Sequence, residues 1–325
     1  MSKNTVFITR RRVPDAVSML ENFCEVKVWE ENYPPPKNTL IEHLQDCQGL
    51  LAEADDLIDV DVLQASNSLK VVSNRAVGVD NIDVEAATKI GIAVGNTPGV
   101  LHKTCADFTF GLILSCARRI AFADRKVQRK NWKIFDQMPY LGSDVHHATL
   151  GIVGFGSIGQ EVAKRASGFE MRVLYHSRTR KTQPEKELGV EWSPSIDYLL
   201  AESDFVSLHV PLNNQTHHLI SERQFKLMKR GSFLINTSRG KIVDSKSLKT
   251  ALSTGILAGA ALDVTDPEPI PFEDELLSMD NVLITPHISS ASTATVEAMG
   301  IMAAQNIISA LTGQKMPSCL NPQVF

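Results

Sequence analysis

Long apolar runs are missing from this 325-residue sequence. The longest, around Phe108–Ala117, is too short to cross a bilayer, so no membrane span is expected. Cysteine is sparse. Cys24, Cys47, Cys105, Cys116 and Cys319 are odd in number, widely spaced and free of any CxxC pair. That argues against a disulfide framework and a zinc site, and predicts reduced core thiols in a cytoplasmic protein with no metal. Excess positive charge is lacking too. The net charge is -4, which advertises no basic face to nucleic acid or a membrane surface. The chain runs from Met1 almost directly into a strand pattern, leaving no room for a signal peptide. Repeats and low-complexity segments are absent. What is present is ordinary for a globular protein, 43% hydrophobic and 22% charged, with length for about two domains.

The first hundred residues alternate short apolar runs with amphipathic stretches. Val6–Thr9, Glu25–Trp29, Gly49–Leu51, Leu69–Ser73 and Ile92–Val94 read as buried strands. Asp15–Phe23, Thr39–Asp46, Val60–Ala65 and Val84–Ile90 read as the helices between them. After the turn cluster Gly95–Gly99, one long amphipathic helix is expected over Thr104–Lys130, then an irregular segment, Asn131–His147. A second series follows, with strands at Leu150–Val153, Arg172–Tyr175, Phe205–His209, Ser232–Ile235, Gly259–Leu262 and Val282–Ile284. A helix over about Thr293–Leu311 follows, placed to return to the first domain. This pattern predicts an α/β protein of two doubly wound, Rossmann-like parallel-sheet domains with a cleft between them. Residues 1–100 plus 291–325 would form a flavodoxin-like substrate domain, and 101–290 a dinucleotide-binding domain.

Gly154, Gly156 and Gly159 follow the first strand of the second series and open a helical pattern. This is the dinucleotide fingerprint in its required setting of strand, tight turn and helix. The first glycine permits the turn, the second lets a pyrophosphate approach the backbone, and the third lets helix and strand pack closely. Phe155, Ser157 and Ile158 complete this cofactor-binding turn. In that fold an acidic residue about 20 positions on takes the ribose hydroxyls. Here the strand runs instead into His176-Ser177-Arg178-Thr179-Arg180-Lys181. A carboxylate would repel a 2′-phosphate, whereas Arg178 can grip one in a fork and Ser177 and Thr179 can donate to it. Arg180 and Lys181 read equally as solvated loop charges.

Three later segments each end a strand: Asn236–Gly240, Asp263–Pro269 and Thr285–Ala291. The carboxyl ends of strands line the ligand crevice of an open parallel sheet, so Arg239, Glu268 and His287 would face a cofactor together. Singly, each has a plain alternative: a surface charge, a turn residue between prolines, a half-buried histidine.

These stretches, with Val77-Gly-Val-Asp-Asn81, His146–Gly154 and Pro286-His287, resemble the D-specific 2-hydroxyacid dehydrogenase family over nearly the whole chain. Within that family the resemblance is greatest to glyoxylate and hydroxypyruvate reductases, including the 2-ketogluconate reductase branch. It implies that Arg239 grips the 2-oxo acid carboxylate, that His287 protonates the keto oxygen, and that Glu268 orients His287 and raises its pKa. It implies that the backbone N–H groups of Val77 and Gly78 receive the carboxylate. On the cofactor side it implies roles for Thr104, Val210, Pro211, Thr216, Thr237, Ser238, Asp263, Ser289 and Ser290, with Arg239 and His287 also against the nicotinamide. Ser289 stands where the family usually has glycine, and Lys103 where an acid is common. Arg75 stands at a position usually apolar; it would either reach the distal end of the substrate or pair with a carboxylate such as Asp80 or Asp55. The segment Arg118–His147 matches the region through which the family dimerises.

The expectation is an NADPH-preferring reductase of small 2-oxo acids, able to use NADH, and a homodimer. Two alternatives share these motifs: a nucleotide-sensing corepressor on the same fold, and another dehydrogenase of the family, such as one acting on phosphoglycerate or phosphite. The missing acidic ribose residue counts against the first. The physiological 2-oxo acid is not fixed by these residues.

Overall fold

The computed structural model describes residues 3–325. They pack as two units: the chain up to Leu101 with Ala291–Phe325, and His102–Ser290. Each unit is a parallel sheet covered by helices on both faces.

The first unit carries β1 (Thr5–Ile8), β2 (Glu25–Val28), β3 (Gly49–Ala52), β4 (Val71–Asn74) and β5 (Ala93–Gly95), in the order β2-β1-β3-β4-β5. Every residue of β3 and β4 is buried, so neither run alternates apolar with charged residues; Ser73 and Asn74 at the end of β4 are buried polar side chains. Edge strand β2, Glu-Val-Lys-Val, does alternate. One face packs against Pro14–Glu21 and Thr293–Leu311, with Val6, Ile8, Leu20, Ala303 and Ile307 in the core between them. The other packs against Lys37–Leu44, Val60–Leu63 and Val84–Lys89 around Phe7, Leu40, Leu50 and Ile58. The buried side chain of Asn321 pairs with β5, accepting from Val94 N and donating to Ile92 O, so the sheet edge is satisfied.

The second unit carries β6 (Thr149–Val153), β7 (Arg172–His176), β8 (Glu191–Trp192), β9 (Phe205–Leu208), β10 (Ser232–Asn236), β11 (Leu257–Leu262) and β12 (Val282–Ile284). Their order is β12-β11-β10-β9-β6-β7-β8, all parallel. Strand order reverses at β6, so the crevice outside its carboxyl end lies between β6 and β9. The helices His102–Ala117 and Ser157–Ala166 cover one face through Phe110, Ile113, Ile152 and Val162. Ile196–Glu202, Glu222–Leu227 and Ser245–Ser253 cover the other.

Three expectations need correction. The stretch expected as one helix over Thr104–Lys130 is two, His102–Ala117 and Ile120–Gln128. Arg119 between them has φ 54°, and the carbonyl of Ala117 accepts from Ser143 N at 2.9 Å instead of continuing a helical ladder. The two-residue strand β8 was not anticipated, because Glu-Trp carries no periodicity. Finally, Phe108–Ala117 is not the longest apolar stretch that matters. Thr293–Leu311 is long and apolar enough to cross a membrane by length and composition, yet its Ala303, Ala304 and Ile307 are buried in the first unit.

Candidate active site

The turn after β6 is shaped by contact. Gly154 has φ 98°, and a Cβ there would lie 2.5 Å from His209 O at the end of β9. A Cβ on Gly159 would lie 2.3 Å from Gly154 O. At Gly156 the same atom meets nothing within 4 Å. Gly156 is the N-cap of Ser157–Ala166 and no side chain caps that helix, so its first N–H groups face open space. Uncapped donors, a favourable dipole and a bare backbone fit a pyrophosphate. Phe155 turns away from this space and stacks on Tyr175, centroids 4.0 Å apart.

Beyond β7, Ser177 Oγ donates to Thr179 O at 2.8 Å, closing a tight loop. Arg178 is exposed and makes no ion pair among the described residues. Arg180 differs: its Nε and Nη2 fork onto Glu185 at 2.8 and 2.5 Å. Beyond β9, Thr216 Oγ1 donates to Pro211 O at 2.6 Å and accepts from Asn213 N, drawing the loop that follows Val210 into a compact turn. His209 shares a 2.8 Å hydrogen bond with Ser207, and burial pushes its imidazole down to about 3, so it stays neutral.

The strand-end trio comes together within this unit. His287 Nδ1 lies 2.5 Å from Glu268 Oε1. Facing a carboxylate, Nδ1 carries the proton and donates it, which leaves Nε2 as the outward atom. Thr265 N holds the other oxygen of Glu268 at 3.4 Å. The bond to Glu268 is the chief reason the His287 pKa is raised; burial and the Arg239 charge oppose it, and Asp263 adds to it. Arg239 Nη1 donates to Ser238 O at 2.8 Å, and Asn236 Nδ2 holds Arg239 O at 2.9 Å. A Cβ on Gly240 would fall 1.9 Å from Thr265 O, so the backbone after Arg239 presses on the loop that carries Glu268.

His287 has φ 53°, in the left-handed region, a conformation that non-glycine residues keep only where the surroundings impose it. Asp263 is what imposes it. Its buried carboxylate accepts from Thr285 Oγ1 (2.7 Å), Ile288 N (2.8 Å) and Ser289 N (2.8 Å), and its carbonyl accepts from His287 N (2.9 Å). Asp263 therefore shapes the histidine loop from beneath, a role that its sequence neighbourhood did not suggest. Ser289 is buried, with its Oγ 3.8 Å from Cys105 Sγ. Thr237 Oγ1 meets Thr109 Oγ1 at 3.1 Å, Ser238 Oγ donates to Leu208 O, and Thr104 and Ser290 are half-buried.

In the first unit, the turn after β4 has its carbonyls held by side chains: Asn96 donates to Val77 O and Asn74 to Gly78 O. The N–H groups of Val77 and Gly78 make no hydrogen bond among the described residues, as a carboxylate-receiving turn needs. Arg75 forks onto Glu53, with Nε at 2.7 Å from Oε1. Its partner is neither Asp80 nor Asp55; Asp55 pairs with Arg10.

The family model for the D-isomer specific 2-hydroxyacid dehydrogenase NAD binding domain matches residues 110–289. A glyoxylate reductase of Korarchaeum cryptofilum is 49% identical over 323 residues, 99% of this chain and 97% of that protein. The solved structure of an NADPH-dependent glyoxylate/hydroxypyruvate reductase from Sinorhizobium meliloti, in complex with NADP and malonate, is similar at a TM-score of 0.89 and 28% identity, covering 99% of this chain and 98% of that one. That of D-lactate dehydrogenase from Aquifex aeolicus, complexed with NAD and lactic acid, is similar at 0.85 and 29%, covering 98% and 99%.

Proposed function

The chain belongs to the D-isomer specific 2-hydroxyacid dehydrogenase family, an NAD(P)-dependent group of oxidoreductases, and from that premise we propose that it reduces glyoxylate and hydroxypyruvate to D-2-hydroxy acids with a preference for NADPH. The observation that carries the reading is the Glu268–His287 pair beside Arg239, at the strand ends of the sheet that holds the glycine turn. The reduced nicotinamide, when bound, supplies a hydride to the carbonyl carbon. Arg239 takes the substrate carboxylate and polarises the keto oxygen, and the Val77 and Gly78 N–H groups are further carboxylate donors. His287 delivers the proton from Nε2 to that oxygen. Glu268 keeps the imidazole protonated and fixes its orientation. The glycine turn, the Ser177–Thr179 and Val210–Thr216 loops, Thr104, Thr237, Ser238, Ser289 and Ser290 bind the cofactor, and Asp263 serves it through the histidine loop.

The NADPH preference rests on Arg178, which makes no ion pair among the described residues, and on Ser177, whose hydroxyl would turn from Thr179 O to the 2′-phosphate. Each charged hydrogen bond to a 2′-phosphate contributes roughly 1.5–3 kcal/mol, so NADPH should exceed NADH by about tenfold to several hundredfold in kcat/KM. Assay of glyoxylate, hydroxypyruvate, pyruvate and 2-ketogluconate with both cofactors tests cofactor and substrate together. Equal use of NADH, or an Arg178→Asp variant with unchanged preference, defeats the cofactor reading. Arg75 has its charge matched by Glu53, and we read the pair as a polar wall for the substrate's distal carbon. Hydroxypyruvate should then exceed pyruvate by about tenfold. Pyruvate equal to hydroxypyruvate makes Arg75 purely structural.

We further propose that the protein is a homodimer. Trp132, Ile134, Phe135, Met138 and Leu141 are 59–86% exposed in one segment, more apolar surface than a lone chain ordinarily leaves wet. Sedimentation should give twice the chain mass, and a monomer at micromolar concentration rules the dimer out.

A further inference from the structure

Tyr175 lies on β7 with none of its surface exposed, yet its hydroxyl serves the loop outside the sheet. It accepts from Lys181 N at 3.0 Å and donates to Glu185 Oε2 at 2.9 Å. The same carboxylate receives the Arg180 fork, and the Arg180 guanidinium lies 5.3 Å over the Trp192 ring on β8. The loop from Ser177 to Lys181 is thus tied at its far end to a single buried oxygen. The other face of the network is the Tyr175 ring, which stacks at 20° on Phe155 between the first two glycines. One side chain therefore touches both the turn that fits a pyrophosphate and the loop that follows β7.

We propose that Tyr175 is a positioning residue for 2′-phosphate recognition: its hydroxyl fixes the Ser177–Lys181 loop so that Arg178 is presented, and Arg180 withheld, at a set distance from the glycine turn. The inference rests on the NADPH reading above. A buried hydroxyl that only filled space would affect every adenine nucleotide alike. A hydroxyl that sets the loop would affect chiefly ligands carrying the 2′-phosphate, because the rest of the adenosine half would be held by the glycine turn and the Val210–Thr216 loop. The arrangement also explains why several cations stand side by side here. Arg180 is neutralised by Glu185 and acts as a strut, which leaves Arg178 as the reader.

Calorimetric titration of the full-length protein with 2′,5′-ADP and with 5′-AMP separates these effects without turnover. Wild type should bind 2′,5′-ADP at least about tenfold tighter than 5′-AMP, and Arg178→Ala should erase the difference. Tyr175→Phe should weaken 2′,5′-ADP by about three- to tenfold and move 5′-AMP by less than about twofold. Equal losses for both ligands, or none, overturn the positioning role while leaving the NADPH reading intact. If wild type shows no preference for 2′,5′-ADP, the NADPH reading itself fails. A second measurement needs no variant: in the ligand-free protein the Lys181 amide should be protected from hydrogen exchange by the Tyr175 oxygen. Exchange of that amide at the rate of an unstructured peptide also overturns the proposal.

Discussion

Replacing His287 by asparagine lowers keto-acid reduction by about 10²–10⁴-fold, the span that a positioned general acid contributes. Asparagine is the variant to make because position 287 has φ 53°, and asparagine tolerates that region better than alanine does. With the loop still tied to Asp263, the loss reports on the proton and not on the fold. The pH dependence follows from the same pair. The folded-state pKa of His287 is raised, chiefly by its bond to Glu268, above the ordinary histidine value of about 6.5. The imidazolium is present below the raised pKa and is lost above it, so reduction is maximal on the acid side and falls as pH rises through it. Glu268→Gln removes the stabilising charge, so the fall moves to lower pH while the ring keeps a hydrogen-bond acceptor. Lactate-type oxidation, which needs the neutral ring, should show the opposite limb. A Glu268→Gln profile that coincides with wild type would assign the proton to another group.

How much of this was legible in the sequence depends on whether the cause was local. The strand runs were readable because β3 and β4 are buried along their whole length, which leaves short uncharged stretches, Gly-Leu-Leu-Ala and Val-Val-Ser-Asn, in the sequence. The glycine turn was readable because its spacing of glycines is local, although its contacts reach outside it: Gly154 approaches His209 and donates to His176 O, and Phe155 stacks on Tyr175. The meeting of Glu268 and His287 could be anticipated from consecutive strand ends of a parallel sheet. What escaped depends on distant partners. The helix break at Arg119 is fixed by Ser143, the pairing of Arg75 by Glu53 on another loop, and the left-handed His287 by a carboxylate that reads as one more acid after a strand. Strand β8 exists because Trp192 pairs with Tyr175, not because Glu-Trp favours a strand.

Gly240 gives the second large effect. Its neighbour Arg239 is the proposed carboxylate clamp, and the glycine itself entered the sequence analysis only as the end of the Asn236–Gly240 segment. A Cβ there would stand 1.9 Å from Thr265 O, 2.1 Å from Thr265 C and 2.7 Å from Asp266 N. All three are backbone atoms, so no side chain can swing aside. Gly240→Ala must push the Arg239 segment away from the loop that carries Glu268, or push that loop away from His287. Such overpacking costs about 1–3 kcal/mol, which in a unit of this size lowers Tm by roughly 3–10 °C. The catalytic loss is larger than the stability loss, since a displacement of about 1 Å between reacting groups can cost about 10²-fold in rate. Measured well below Tm, Gly240→Ala should therefore lose about 10²-fold in kcat/KM for the oxo acid while its affinity for the dinucleotide stays near wild type. Gly156→Ala is the converse. Its Cβ meets no protein atom within 4 Å, so Tm holds while dinucleotide affinity drops. If Gly240→Ala keeps wild-type turnover, Arg239 and Glu268 do not depend on the close approach of their loops, and the geometry proposed for the clamp and the proton donor is wrong.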